Sequence, residues 1–277
     1  MTTTVTSRPD WQVELFDLDA YLHRIGQPAA PPSASTLREL ARAHVRTIPF
    51  ENVDVVLGRH RGLAPGAITD KLVRRTRGGY CFEHALLFAA AAAGLGYPVR
   101  RLLSRVQPHR AGARTHMTLL VGADNTDHLV DVGFGAGMIE PIPLRDAAEV
   151  DQAGWLHRLE SRGEEWTLLR RTDDGWTPQH AFTLEPARPI DYEVAHHYVS
   201  THPKSPFVGN LVVMRLAEGL SRRLVGDQLT VEHADGPTVT TTVAPDDLNR
   251  TLRELDVELT EPELSDLLGR PWRHGAR

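Results

Sequence analysis

Cysteine occurs once in the 277 residues, as Cys81, so no internal disulfide is available. Lysine is almost as scarce: of 31 basic residues only Lys71 and Lys204 are lysines, a skew read as compositional bias. A basic excess is missing too. With 31 basic against 36 acidic residues the net charge is −5, which argues against a nucleic-acid-binding surface. The longest apolar run, around Leu86 to Leu95, falls short of the ~20 residues that span a bilayer. The opening "MTTTVTSRPDWQ" has no apolar segment of signal-peptide type, and no internal repeat or low-complexity linker stands out. The expectation is a soluble cytoplasmic protein with neither nucleic acid nor membrane as partner. A chain of this length should bury a substantial core and divide into two or three subdomains.

What is present changes character near residue 98. Before it the chain reads as helix. In "SASTLRELARAHVRTIPF" Leu37, Leu40, Ala41, His44 and Val45 keep helical spacing, with Ser35 or Thr36 as cap and Pro49 as stop. Thr69 is expected to cap a short helix carrying Leu72 and Val73, and a third helix runs from about Cys81 to Ala93, closed by Gly94 and Gly96. From Val99 short β-rich runs follow: "VRRLLSRV", "THMTLLVG", "HLVDVGF" and "EWTLLRR". The tail mixes "LVVMRL", "QLTVEH" and "TVTTTV" with two helices, the last opened by Thr260 and Glu263 as a capping box. Helices, then sheet, then a mixed tail predict an α+β fold. The expected parts are 1–97, a helical bundle with the cysteine; 98–199, an antiparallel β-barrel; and 200–277, an α/β lid.

Cys81 follows Gly78 and Gly79 where a helix begins. At a helix N-terminus the dipole and the unpaired N–H groups favour a thiolate, and in such settings cysteine pKa values fall from ~8.5 to about 3.5–7.5. The glycines would let the backbone turn sharply and leave room for a substrate. The same N–H groups could hold a developing oxyanion. The bland reading is a small buried hydrophobe.

A partner histidine decides between these readings. His116 and Asp131 lie in two β-runs joined by "GADNTD". A hairpin loop centred between Ala123 and Asp124 puts them opposite each other, and any loop with an even residue count keeps them on one face. Other constellations are weaker. Cys81 and His84 lack a second pair of metal-ligand spacing. His196, His197 and His202 form a cluster without a clear partner, and Glu83 reads as a surface or capping residue. "GFGAG" (133–137) precedes Pro141 and Pro143, so no dinucleotide-binding helix opens there, although the loop could cradle a phosphate. No metal site is expected.

"IPFENVDVVLG" (48–58), "RGGYCFEHALLF" (77–88), "THMTLLV" (115–121) and "DVGFG" (131–135) resemble the arylamine N-acetyltransferases, in that family's order and with similar spacing. "STHPKSPFVGNLVVMR" (200–215) resembles a later segment of the same family, so the likeness spans most of residues 10–250. The resemblance implies a cysteine-protease/transglutaminase-like core under an α/β lid, and a triad of Cys81, His116 and Asp131. It implies ping-pong acyl transfer, with acetyl-CoA as co-substrate, no permanently bound cofactor, and small aromatic amines or hydrazines as acceptors. It also implies that Phe82, Phe134 and Phe207 line the acceptor pocket, and that Thr115, Gly133, Gly135, Thr201 and Lys204 contact CoA. Phe82 stands where bacterial members frequently carry tyrosine, which removes a hydroxyl from the expected pocket. An amide synthase of polyketide biosynthesis, fed by a carrier protein, would share fold and triad. A thiol protease is chemically possible, but the resemblance points away from it. A non-enzymatic binding module would have no use for the three residues together.

Overall fold

The computed structural model describes residues 11–270 apart from Thr76 and Ala136. Residues 1–10 and 271–277, the ends of the expected first and third parts, lie outside the described residues. Helix α1 (Leu18–Ile25) is capped by Asp17, whose side chain accepts from Ala20 N, and closes at Gly26 with φ 67°. Helix α2 (Ala34–Thr47) opens at Ser33, whose Oγ accepts from Thr36 N at 3.1 Å. That cap precedes both expected ones, because Ser33 has the extended backbone that aims its hydroxyl into the first turn. A two-residue strand, β1 (Phe50–Glu51), and the short helix α3 (Val53–Val56) follow. Thr69 is no cap. Pro65 opens α4 (Pro65–Thr69), where its missing N–H leaves nothing unpaired, and the chain continues as a wider turn over Asp70–Arg74. Helix α5 (Cys81–Gly94) is buried from Cys81 to Ala92, as befits a helix apolar on nearly every side.

The β-rich middle forms an antiparallel sheet of eight strands among the described residues. They are β2 (Val99–Val106), β3 (His116–Ala123), β4 (Thr126–Val130), β5 (Ile142–Pro143), β6 (Glu149–Gln152), β7 (Trp155–Arg162), β8 (Glu165–Thr172) and β9 (Gly175–Thr183). The order is β5-β4-β3-β2-β9-β8-β7-β6, so the two edge strands are consecutive in the chain and the sheet curls into a nearly closed barrel. Leu102, Leu120, Leu129, Leu159, Leu168 and Phe182 form a core of their own there. Beyond it, α6 (Pro189–Thr201) leads to strands β10 (Val212–Ala217), β11 (Leu220–Val225), β12 (Gln228–His233) and β13 (Thr238–Thr242). Helices α7 (Leu248–Glu254) and α8 (Glu261–Leu268) end the described chain, and the expected Thr260–Glu263 capping box is present.

Strand β1 is an edge of this last sheet, with Phe50 opposite Met214. Val53, Val56 and Leu57 join the core behind it with Val213, Leu248 and Leu252. The N-terminal part therefore reaches into the C-terminal one, and α5 lies where they meet the barrel. The architecture is α+β. No described helix is long and apolar enough to cross a membrane.

Candidate active site

The approach to Cys81 is built by close packing. Glu51 N donates to Gly79 O at 2.7 Å, and Gly79 N donates to Pro49 O at 3.3 Å, so the loop runs alongside β1. A Cβ on Gly78 would stand 2.0 Å from Pro49 O, and one on Gly79 would stand 2.7 Å from the Glu83 carboxylate. Neither glycine has a positive φ. They are required by close approach, and the space expected for substrate is filled by Pro49 and Glu83.

Glu83 caps α5 by accepting from Tyr80 N at 3.1 Å, yet it is buried rather than on the surface. Lys71 Nζ lies 3.1 and 3.2 Å from its two oxygens and 3.1 Å from Asp54 Oδ2. Arg77, just before the glycines, reaches Glu51 at 2.9 Å and Glu263 of α8 at 3.3 Å. One of the two lysines is thus a buried ion partner beneath the cysteine loop.

Cys81 is the first residue of α5 and 4% exposed. His116 Nε2 lies 2.7 Å from Asp131 Oδ2, and the Cys81 side chain adjoins the same imidazole closely enough to help raise its pKa. Strand register explains this meeting. β3 and β4 are joined by the two-residue turn Asp124-Asn125, with φ 48° and 60°, the primed-turn conformation that suits strand twist. Leu119 faces Val130, so Asp131, one residue past β4, falls level with Thr118 rather than His116. The pairing is offset by two positions from the expected one, and an even offset keeps both side chains on one face.

Burial would lower the His116 imidazole, but the Asp131 charge and the bonds to Asp131 and Cys81 carry it up to about 10. Burial would likewise raise the Asp131 carboxyl, but His116 and then His180 bring it down to about 2. At neutral pH the pair is an imidazolium beside a carboxylate. His116, Asp131 and His180 are also the one grouping among the described residues whose ligand-type atoms crowd within 4.8 Å. Both imidazoles bring Nε2 to the carboxylate, His116 in a hydrogen bond and His180 in a 3.0 Å contact without hydrogen-bond alignment.

A cleft of ≈ 420 Å³ opens above these groups, lined by Phe50, Cys81, Thr115, His116, Gly133, Phe134 and Phe207 among others. Gly133 stacks on the Cys81 backbone, since a Cβ there would meet Cys81 O at 2.8 Å. Phe134 packs on His116 with ring centroids 5.2 Å apart. Phe82 is elsewhere: fully buried, it packs on Tyr80, Tyr192 and His196 beneath the cleft. Gly135, Thr201 and Lys204 lie outside the lining, and Ala136 of the glycine loop is outside the described residues. Arg170 and Arg223, which no motif had marked, line the cleft instead.

The remaining histidines have partners of other kinds. His84 Nε2 donates to Gly79 O at 3.0 Å and Pro49 O at 3.2 Å, its Nδ1 accepts from His44 Nε2 at 2.8 Å, and His44 Nδ1 accepts from Tyr21 Oη at 2.9 Å. Carbonyls only accept, so they set every tautomer in this chain. Tyr80 Oη and His196 Nδ1 share a hydrogen bond, and His202 stacks on Tyr198. His180 had no signal in the sequence, because it sits beyond Pro178 in a run that does not read as a regular strand.

Comparison with known proteins shows the family. Residues 33–263 match a family described as N-acetyltransferase. The arylamine N-acetyltransferase of Mycolicibacterium smegmatis is 42% identical over 234 residues, which is 80% of this chain and 84% of that protein. The solved arylamine N-acetyltransferase of Nocardia farcinica superposes with a TM-score of 0.87 at 40% identity, over 93% of this chain and 95% of that one. The Mycobacterium marinum arylamine N-acetyltransferase in complex with CoA superposes with a TM-score of 0.83 at 32% identity, over 91% and 98%. With fold and sequence in agreement, the chain belongs to the arylamine N-acetyltransferase family.

Proposed function

We propose that this chain carries an acetyl group from acetyl-CoA to the nitrogen of an arylamine or arylhydrazine, in two steps through a thioester on Cys81. The observation that carries the reading is the contact of His116 with both Cys81 and Asp131 at the base of an aromatic-walled cleft. A relative's structure in complex with CoA supports the donor.

In the first step the Cys81 thiolate attacks the thioester carbonyl carbon. The bond from that carbon to the CoA sulfur breaks, and the departing sulfur takes the proton of the His116 imidazolium. In the second step the amine nitrogen attacks the acetyl carbon of the Cys81 thioester. Neutral His116 accepts the amine proton, the Cys81 sulfur leaves as thiolate, and the starting ion pair is restored. Asp131 holds the imidazole in one orientation and favours its charged form. The open N–H groups at the start of α5 serve the oxyanion of each tetrahedral intermediate.

Phe134 and Phe207 flank the acceptor ring, while Thr115 and Gly133 border the pantetheine arm. CoA arrives and leaves as a substrate, so no bound cofactor is needed. A working free thiol and a CoA supply both belong to the cytoplasm. The test is release of free CoA from acetyl-, propionyl- and malonyl-CoA with an arylamine or hydrazine, in wild type and Cys81→Ala. Acceptor-dependent release that disappears in the variant is expected. Turnover surviving in Cys81→Ala would remove Cys81 as nucleophile.

A further inference from the structure

His180 lies on β9 and is 0% exposed. Its Nε2 is 3.0 Å from Asp131 Oδ2, the same oxygen that His116 Nε2 meets at 2.7 Å. The ring stands 5.4 Å from His116 and 5.0 Å from Phe134, centroid to centroid, which leaves it little freedom to turn. Asp131 Oδ1 and both ring nitrogens of His180 lack an aligned hydrogen-bond partner among the described residues, so His180 Nε2 meets Oδ2 as a close contact rather than along its N–H axis. Oδ2 is therefore the point on which both imidazoles converge.

The strand geometry explains how a second histidine gets there. Opposite β8, Leu168 pairs with His180 and Leu169 with Pro178, so Gln179 is the extra residue of a bulge. Gln179 O accepts from Gln107 N at 2.8 Å, and Val106 of β2 pairs with His180 on the other side. The residue after the bulge is thereby held between two strands and turned toward Asp131.

A carboxylate with no water around it stays ionised only if donors replace the water. His116 supplies one donor, but that imidazole exchanges its other proton in each half-reaction, so its charge alternates during turnover. A polar partner whose charge does not alternate would steady the carboxylate throughout. We infer that His180 is a positioning residue: its Nε2–H, 3.0 Å from Oδ2, is a second and constant positive pole that holds Asp131 ionised and aimed at His116. The inference rests on the proposed role of Cys81. The titratable groups facing His180 are Asp131, His116 and, from β7, His157. Burial favours the neutral form of His180, which carries one proton and can place it on Nε2.

The test compares wild type, His180→Phe and His180→Gln in the full chain. Phe keeps a ring and removes the N–H; Gln returns an N–H at about the reach of Nε2. The first readout is the rate of iodoacetamide alkylation against pH, which reports Cys81 alone because the chain has no other thiol. Without the second positive pole Asp131 ionises less readily, the imidazolium loses part of its counter-charge, and thiolate forms at higher pH. His180→Phe should move the acid limb of the profile up by about one pH unit. It should also lower kcat/KM roughly tenfold, the scale of one lost polar partner to a buried charge. His180→Gln should return the limb toward its original position and recover most of the rate.

An unmoved limb in His180→Phe, or a limb moved as far in His180→Gln, would overturn the inference. A merely structural role would lower the melting temperature of both variants and leave the limb in place. If His180→Phe does not melt cooperatively, His180→Met takes its place. Failure of the proposed function would appear in the wild type itself, as absent CoA release. Failure of the present inference would appear only between the variants.

Discussion

Replacing the Asp131 carboxylate by an amide removes a charge that two imidazoles face and leaves His116 without its counter-charge. Asp131→Asn should lower kcat by about 10³–10⁴ with a normal melting temperature, as measured by CoA release and calorimetry. Gly78→Ala should act on the fold instead. Its Cβ would stand 2.0 Å from a backbone oxygen, whereas a Cβ on Gly112 would meet nothing within 4 Å. Thermal melting should show a large loss for Gly78→Ala and little change for Gly112→Ala. Equal melting of the two would contradict the packing of the cysteine loop. Cys81, His116 and Asp131 were legible because one residue was unique and the other two obeyed strand parity. Parity survives an offset of two, so the meeting was foreseen although the exact register was not. Gly78 and Gly79 were legible as unusual, but their reason lay in Pro49 and Glu83, contacts that a linear reading does not contain.

Among the elements, α5 depends on the Tyr21–His44–His84 chain packed behind it, in which both imidazoles must stay neutral to keep their donors and acceptors matched. Burial pushes His84 down to about 4 and His44 well below its ordinary value. A histidine lowered in this way contributes stability above its unfolded value of 6.5, and that contribution is lost as the pH falls toward 4. The urea midpoint should therefore decline through that window, as the unfolded chain takes up about two more protons than the folded one. A midpoint that stays flat until the carboxylates titrate would show that these rings are not held neutral. Helices were the most readable elements here, since apolar spacing and caps are local properties. The caps themselves moved: Ser33 displaced Ser35 and Thr36, and Pro65 displaced Thr69, because the backbone conformation just before a helix decides which residue caps it. Strand β9 was missed for a related reason. Pro178 and the bulge at Gln179 interrupt its alternation, and the interruption is what turns His180 inward.

Over the whole molecule, ion pairs run from α8 to the first turn of α5. Glu263 bonds Arg75 at 3.2 Å and Arg77 at 3.3 Å; Arg77 bonds Glu51; Lys71 then links Glu51, Asp54 and Glu83. Glu263→Ala leaves Arg77 two acidic partners, so a modest effect is expected, about 1 kcal/mol or a fall of about 2–4 °C in Tm. A larger loss would mean that α8 carries the cysteine loop rather than bracing it. The α+β class and its three-part order were readable from where helical spacing gave way to alternation. The joining of β1 to the last sheet was not, because a two-residue strand has no period to detect. The solitary thiol has a further consequence. An oxidant entering the cleft would convert Cys81 to a sulfenic acid, and the chain contains no second thiol on which it could close as a disulfide. Its return to activity depends on a small external thiol admitted through the passage that admits CoA, so peroxide tolerance in this enzyme is set by the solution around it.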